Sequence, residues 1–358
     1  MASRDEAHGA NDGGIPAESP ASLAEETLAD PRWFPLHLDV AAGNYHFAFI
    51  PAEVHRSIAF LRDFKPRPSD TRVLSRSAVA NVPIESHPLH LILHSGLAGS
   101  TLVARALAQP GVAVALQEPP ILTDVILYAR NRSSAETNDL WQQVTRMLSR
   151  PFSGTEAVIC KLSGVGNGVA RVLAADHEHS QLLCLQNPLE QLLAGFASRG
   201  IGGRMAGRQL AIGIRNSRMF AFEMSDKELL DCTDFQLAAL AWLSIEKMMI
   251  AAAEALGPTR VASTTTKQLM RDTAATVSAI AAHFQLSFDV DQCLASGVFS
   301  RHAKSGEPFD PGGRAERVAE SLRVHEREIE SVVSWAKRVA ETSGIAWDLP
   351  YPLPEEGG

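Results

Sequence analysis

From residue 89 onward, short apolar runs alternate with stretches whose apolar residues recur every three to four positions. The runs at 89–93, 112–116, 157–160, 182–185 and 260–262 are predicted strands. The periodic stretches at 101–108, 139–149, 168–175, 189–198 and 234–255 are predicted helices, with two closing helices over 273–284 and 314–342. Strands this short and this uniformly apolar, separated by crossover helices, belong to a parallel sheet buried on both faces. The pattern therefore predicts an α/β three-layer sandwich with about five parallel strands. The most apolar long stretch, 237–256, is interrupted by Glu246 and Lys247. It reads as a buried helix and no membrane span is expected.

Upstream of residue 89 the pattern is weaker. Residues 1–30 carry almost no large apolar groups and are expected to be a disordered tail. A small N-terminal α+β element and linker over 31–88 should contain a strand at 45–50. Pro51 then opens a helix in which Val54, Ile58 and Leu61 share a face. Residues 65–70 read as a Pro- and Ser-rich linker. The main domain is expected over 89–345, with a C-terminal tail over 346–358.

Composition changes this picture little. The 358 residues are 45% apolar and 21% charged, ordinary for a globular chain. A formal net charge of −8 argues against a general nucleic-acid binder or a basic membrane-surface protein. The four cysteines show no paired metal spacing, and Cys160 and Cys184 fall inside apolar runs, where a thiol behaves as a small hydrophobe. Together with an N-terminus lacking a basic region followed by an apolar run, this predicts a reduced, cytoplasmic location.

The clearest chemical signal follows the first strand. His94 leads into Ser95, Gly96, Leu97, Ala98, Gly99, Ser100 and Thr101, which pass from strand through a glycine loop into a helix. The glycines permit a sharp turn, and the free amides and dipole of a helix N-terminus form an anion site without a charged side chain. Ser100 and Thr101 are expected to cap the helix and offer hydroxyls. A plain βα turn with a Ser/Thr cap is the alternative. No lysine follows Gly99, unlike the usual nucleotide loop G-x-x-x-x-G-K-[ST], so a compensating cation must come from elsewhere.

Lys161, directly after the third strand, points to the ligand edge of the sheet and is a candidate for that cation. Its alternative role is a strand-end salt bridge. His94 borders the loop as a donor or a cap. Arg199, Arg204 and Arg208 lie in a glycine-rich stretch followed by Arg215 and Arg218, with no acid between Glu190 and Glu223. That stretch is expected to be a mobile anion-binding lid. The run from Asp176 to His179 matches no zinc signature and reads as a surface turn, so no metal is predicted.

The order of elements over 89–340 resembles the P-loop sulfotransferase superfamily, which includes bacterial members. Ala98-Gly99-Ser100-Thr101-Leu102 is similar to the family's first motif, with Leu97 where Lys or Arg is usual. Leu185-Gln186-Asn187-Pro188 is similar to its second motif, with Gln186 at the arginine position and Ala194 at the serine position that normally hold the 3′-phosphate. A third segment with Arg301 and Lys304 resembles the basic loop that closes over the donor; a solvated loop is the alternative. The resemblance implies the fold of P-loop enzymes, 3′-phosphoadenosine-5′-phosphosulfate as donor and a small-molecule or peptide acceptor. It further implies Glu118, just past the second strand, as general base, the alternative being a helix cap. A nucleotide-dependent phosphotransferase, with a magnesium ligand such as Asp124, and a non-catalytic phospho-ligand-binding relative remain open beside it.

Overall fold

The computed structural model describes residues 20–300 and 311–354. The chain opens with α1 (Pro20–Ala29), β1 (Trp33–Asp39), β2 (Asn44–Phe49), α2 (Ala52–Ser57), β3 (Thr71–Ser75) and α3 (Arg76–Ala80). Next come β4 (Leu89–His94), α4 (Ser100–Leu107), β5 (Ala113–Gln117), α5 (Pro120–Ala129), α6 (Ser134–Ser149), β6 (Ala157–Lys161) and α7 (Ala170–Ala175). They are followed by β7 (Leu182–Gln186), α8 (Leu189–Ala197), α9 (Gly200–Asn216), α10 (Asp226–Asp231) and α11 (Asp234–Leu256). Finally β8 (Val261–Thr265) leads into α12 (Thr266–Arg271), α13 (Thr273–His283), α14 (Val290–Ala295), α15 (Pro311–Val324) and α16 (Glu326–Thr342).

Strands β4 to β8 form the expected parallel sheet, in the order β5-β6-β4-β7-β8. Alternation along the strands sorts their side chains onto two buried faces. Leu91, Leu116, Cys160 and Cys184 pack in the core shared with α5, α6, α7 and α11. Ile92, Ala115, Ile159 and Leu183 pack in the core shared with α4 and α13. The helix after β4 thus lies on one face, and the helices after β5 and β6 lie on the other. Such a reversal opens a crevice at the carboxyl ends of the strands, where open α/β sheets take their ligands.

The apolar helix α11 is long enough to cross a membrane by composition. Here Leu237, Leu240, Trp242, Leu243, Ile245 and Met249 are buried against the sheet and neighbouring helices, as the sequence predicts. Its start is fixed by a capping box between Thr233 and Gln236.

The N-terminal sequence holds more structure than its pattern suggests. Residues 20–29 of the expected tail form α1, which buries Ala24 and Leu28. Its closing carbonyls are met from far along the chain, because the buried Arg150 guanidinium donates to Thr27 O at 3.2 Å and Leu28 O at 2.9 Å. Strands β1 and β3 flank β2 in an antiparallel sheet. Pro35 interrupts the alternation of β1, and β3 buries only Leu74, so neither shows a strand pattern. The expected helix ends at Ser57, and Leu61 lies in a separate short turn. Residues 346–354 are not a free tail: Ser263 N donates to Tyr351 O and Leu353 N to Ser263 O, which adds the segment to the edge of β8.

Candidate functional site

The loop between β4 and α4 is shaped by three left-handed residues: Gly96 (φ +94°), Leu97 (φ +49°) and Gly99 (φ +84°). Gly99, rather than a hydroxyl residue, occupies the N-cap, so Ser100 and Thr101 are the first helical residues and do not cap. The amides of Gly99, Ser100 and Thr101 donate to no group among the described residues. They are the orphan donors of a helix start, available to an anion. Leu97 turns toward α8, where a Cβ on Gly195 would lie 2.9 Å from its Cδ1.

Below the loop the polar contacts are structural. Ser95 Oγ accepts from Asn187 N at 2.7 Å, and Asn187 Nδ2 donates to Gly96 O at 3.4 Å. Trp242 Nε1 donates to Asn187 O at 2.9 Å. Asn187 is buried and supports the loop from beneath. Thr266 Oγ1 reaches Ala98 O at 3.2 Å, and Asn167 brackets the backbone of His94 through both ends of its amide. Neither residue belongs to a pattern visible in sequence: Thr266 opens α12 and Asn167 lies in the short turn before α7, both brought in by the fold.

The other carboxyl ends bring charge. Gln117 and Lys161 are register partners on β5 and β6, and Lys161 also pairs with Ile92 of β4. The Lys161 ammonium forms an ion pair with the Glu118 carboxylate. Lys161 is 1% exposed and the Glu118 side chain 12%, so the pair is largely withdrawn from water. Glu118 holds φ +52° directly before proline, a left-handed conformation costing a non-glycine residue on the order of 1 kcal/mol.

His94 joins the pair to the loop. Its Nδ1 accepts from Gly96 N at 3.1 Å, which assigns the proton to Nε2. Nε2 donates to Leu162 O at 3.0 Å and lies 4.0 Å from Glu118 Oε1. A fourth member, Arg62, comes from the N-terminal unit, with Nη1 3.7 Å from Glu118 Oε2 and its guanidinium over the Phe60 ring. Burial pushes the Glu118 carboxyl up, but Lys161, with His94 and Arg62, outweighs it and holds the group below the ordinary carboxylate range. Burial pulls the Lys161 ammonium down against the opposing pull of Glu118.

The second motif faces the other side of the sheet. Gln186 Nε2 donates to Glu246 Oε2 at 3.1 Å and to Trp347 O at 3.0 Å. Glu246 is fully buried on α11, and burial pushes its carboxyl well above the ordinary range, with Gln186 and Ser95 opposing. Ala194 is completely buried. Neither position presents a cation or a hydroxyl.

The arginine-rich stretch is helical. Residues 200–216 form helix α9, packed on α11, where a mobile loop was expected. Gly203 and Gly207 let the helices approach: a Cβ on Gly207 would lie 3.0 Å from Ala238 Cβ. Acids from other elements meet the arginines. Arg204 pairs with Glu328 of α16 at 3.0 Å, Arg208 with Asp234 at 3.4 Å and Arg215 with Asp226 at 2.6 Å. Arg199 is exposed at the end of α8. Arg301 and Lys304 lie outside the described residues. Asp124 is engaged by the N-terminal sheet, accepting from Leu38 N and facing His37 Nδ1, both at 3.0 Å.

No family model matches this chain, and no curated protein matches it by sequence. Solved structures similar to it include two sulfotransferase domains. One is the sulfotransferase domain from the curacin biosynthetic pathway, 15% identical, with a TM-score of 0.44 over 75% of this chain and 100% of that one. The other is the sulfotransferase domain from the Synechococcus PCC 7002 olefin synthase, 13% identical, with a TM-score of 0.34 over 64% of this chain and 84% of that one.

Proposed function

We propose that the carboxyl edge of β4, β5 and β6 is the active site of a sulfotransferase-like enzyme acting on a hydroxyl or amine of a small-molecule or peptide acceptor. One observation carries this reading: a loop with unused amides is joined through His94 to a buried Lys161–Glu118 pair. The donor implied by the sequence resemblance, 3′-phosphoadenosine-5′-phosphosulfate, would supply the sulfuryl group. Its phosphosulfate end fits the amides of Gly99, Ser100 and Thr101 and the two hydroxyls that follow. Lys161 balances negative charge beside them, and Glu118, ionised at neutral pH, takes the acceptor's proton at a carboxylate oxygen. Transfer of this kind rests on positioning and charge balance.

The 3′-phosphate of that donor does not fit Gln186 and Ala194, whose side chains are buried and, for Gln186, already hydrogen-bonded. This favours a second reading, in which the same loop takes an anionic ligand without a ribose 3′-phosphate. Calorimetry without added metal, using 3′-phosphoadenosine-5′-phosphate and adenosine-5′-phosphate, separates the two. Tighter binding of the bisphosphate by tenfold or more supports the named donor. Equal affinities support the second reading, and binding of neither overturns both.

A further inference from the structure

The Lys161–Glu118 pair poses a chemical difficulty for the proposed reaction. A carboxylate in contact with a buried ammonium is a poor proton acceptor, and an ammonium engaged by a carboxylate is a poor partner for an incoming anion. The geometry also contains the means of resolving it. Lys161 sits one strand from the loop, in register with Ile92, two residues before β4 ends at His94. An ammonium has three donors, so contact with one carboxylate does not exhaust it. Its register neighbour Gln117 is completely buried, and neither polar atom of that amide has a partner among the described residues. The lysine therefore stands in register with a buried amide whose hydrogen-bonding capacity is unused among the described residues.

We propose that Lys161 is shared: it holds Glu118 while the loop is empty, and an anion bound to the loop amides draws it off, releasing Glu118 as the proton acceptor. This inference rests on the reading of Glu118 as base and adds that donor binding arms it. The release has a proton balance. Once Lys161 turns to the anion, His94 and Arg62 are the charged or titratable groups left near the buried Glu118 among the described residues. In the absence of an acceptor it takes a proton from solvent. Anion binding and protonation of Glu118 must then favour one another reciprocally. Among the described residues, the groups facing Glu118 are Lys161 from β6, His94 from β4 and Arg62 from the N-terminal unit.

The test uses the full chain and inorganic sulfate, which stays a dianion across the range measured. Titration by calorimetry or NMR between pH 4.5 and 7.5 should show wild-type affinity falling as pH rises. Glu118→Gln removes the competitor for Lys161, so sulfate should bind about tenfold tighter at pH 7, a difference of about 1.4 kcal/mol. The part of the pH slope due to Glu118 should disappear. Lys161→Met should bind sulfate about tenfold more weakly and lose the same slope. If the pair is only a strut, Glu118→Gln gains no affinity and the slope is unchanged, and the proposal fails. Absence of sulfate binding to wild type and Glu118→Gln alike would overturn the anion-site reading as well, so the two failures are distinguishable.

Discussion

His55 offers a measurement whose size follows from the fold. Its imidazole is fully buried at the N-terminal unit's junction with the rest, edge-on to Phe34 and Phe152, and neither ring nitrogen has a partner among the described residues. Burial lowers its pKa from the ordinary 6.5 to about 3. His90, buried beside Phe284, is lowered to about 4. A depressed histidine pKa means that the unfolded chain takes the proton first. Stability is therefore full above about pH 6.5 and is lost as pH falls toward the folded value. Between pH 7.5 and pH 5, linkage gives a loss of about 2 kcal/mol for His55 and a similar amount for His90. The substitution His55→Leu removes the titrating group and the two unpaired nitrogens while keeping an apolar filling. Urea unfolding at pH 7.5 and pH 5.0 should show the variant losing about 2 kcal/mol less than wild type over that interval. An acid loss equal to that of wild type within about 0.5 kcal/mol would refute the assignment of His55 as a buried neutral group.

Three further outcomes follow from the site and its frame. Lys161→Met should destabilise the fold by about 3–5 kcal/mol, because a buried carboxylate loses its partner; adding Glu118→Gln should recover most of this in a double-mutant cycle. Gly99→Ala places a Cβ 3.1 Å from Leu269 at φ +84°, and denaturant titration should show a loss of about 1–2 kcal/mol together with weaker sulfate binding. Arg204→Ala should leave sulfate affinity within about twofold and cost under about 1 kcal/mol, since Arg204 is held by a partly exposed pair with Glu328; a large loss of affinity would return it to the site.

The sequence by itself determined the central architecture. Uniformly apolar runs of strand length located β4 to β8 within a few residues, because a strand buried on both faces has nothing polar to obscure it. Only the ends blurred, as at β8, where Ser263, Thr264 and Thr265 extend the strand beyond its apolar part. The loop from Ser95 to Thr101 was legible for the same local reason: glycine spacing and helix entry are written in adjacent residues. Local pattern also placed Glu118 and Lys161 at the carboxyl edge of the sheet, since Glu118 directly follows β5 and Lys161 ends β6.

Tertiary structure decided what these residues meet. Nothing local says that Lys161 and Glu118 neutralise each other, that Phe60 and Arg62 reach the site from another unit, or that Asn167 and Asn187 clamp the loop. Arginines at 204 and 208 look unpaired along the chain because their acids, Glu328 and Asp234, arrive from other helices. The same holds for α1, whose last carbonyls depend on Arg150, and for residues 346–354, which need the edge of β8. Hydrophobic periodicity encodes which face of an element is buried, whereas the pairing of charges and the closing of backbone ends depend on contacts between residues far apart in the chain.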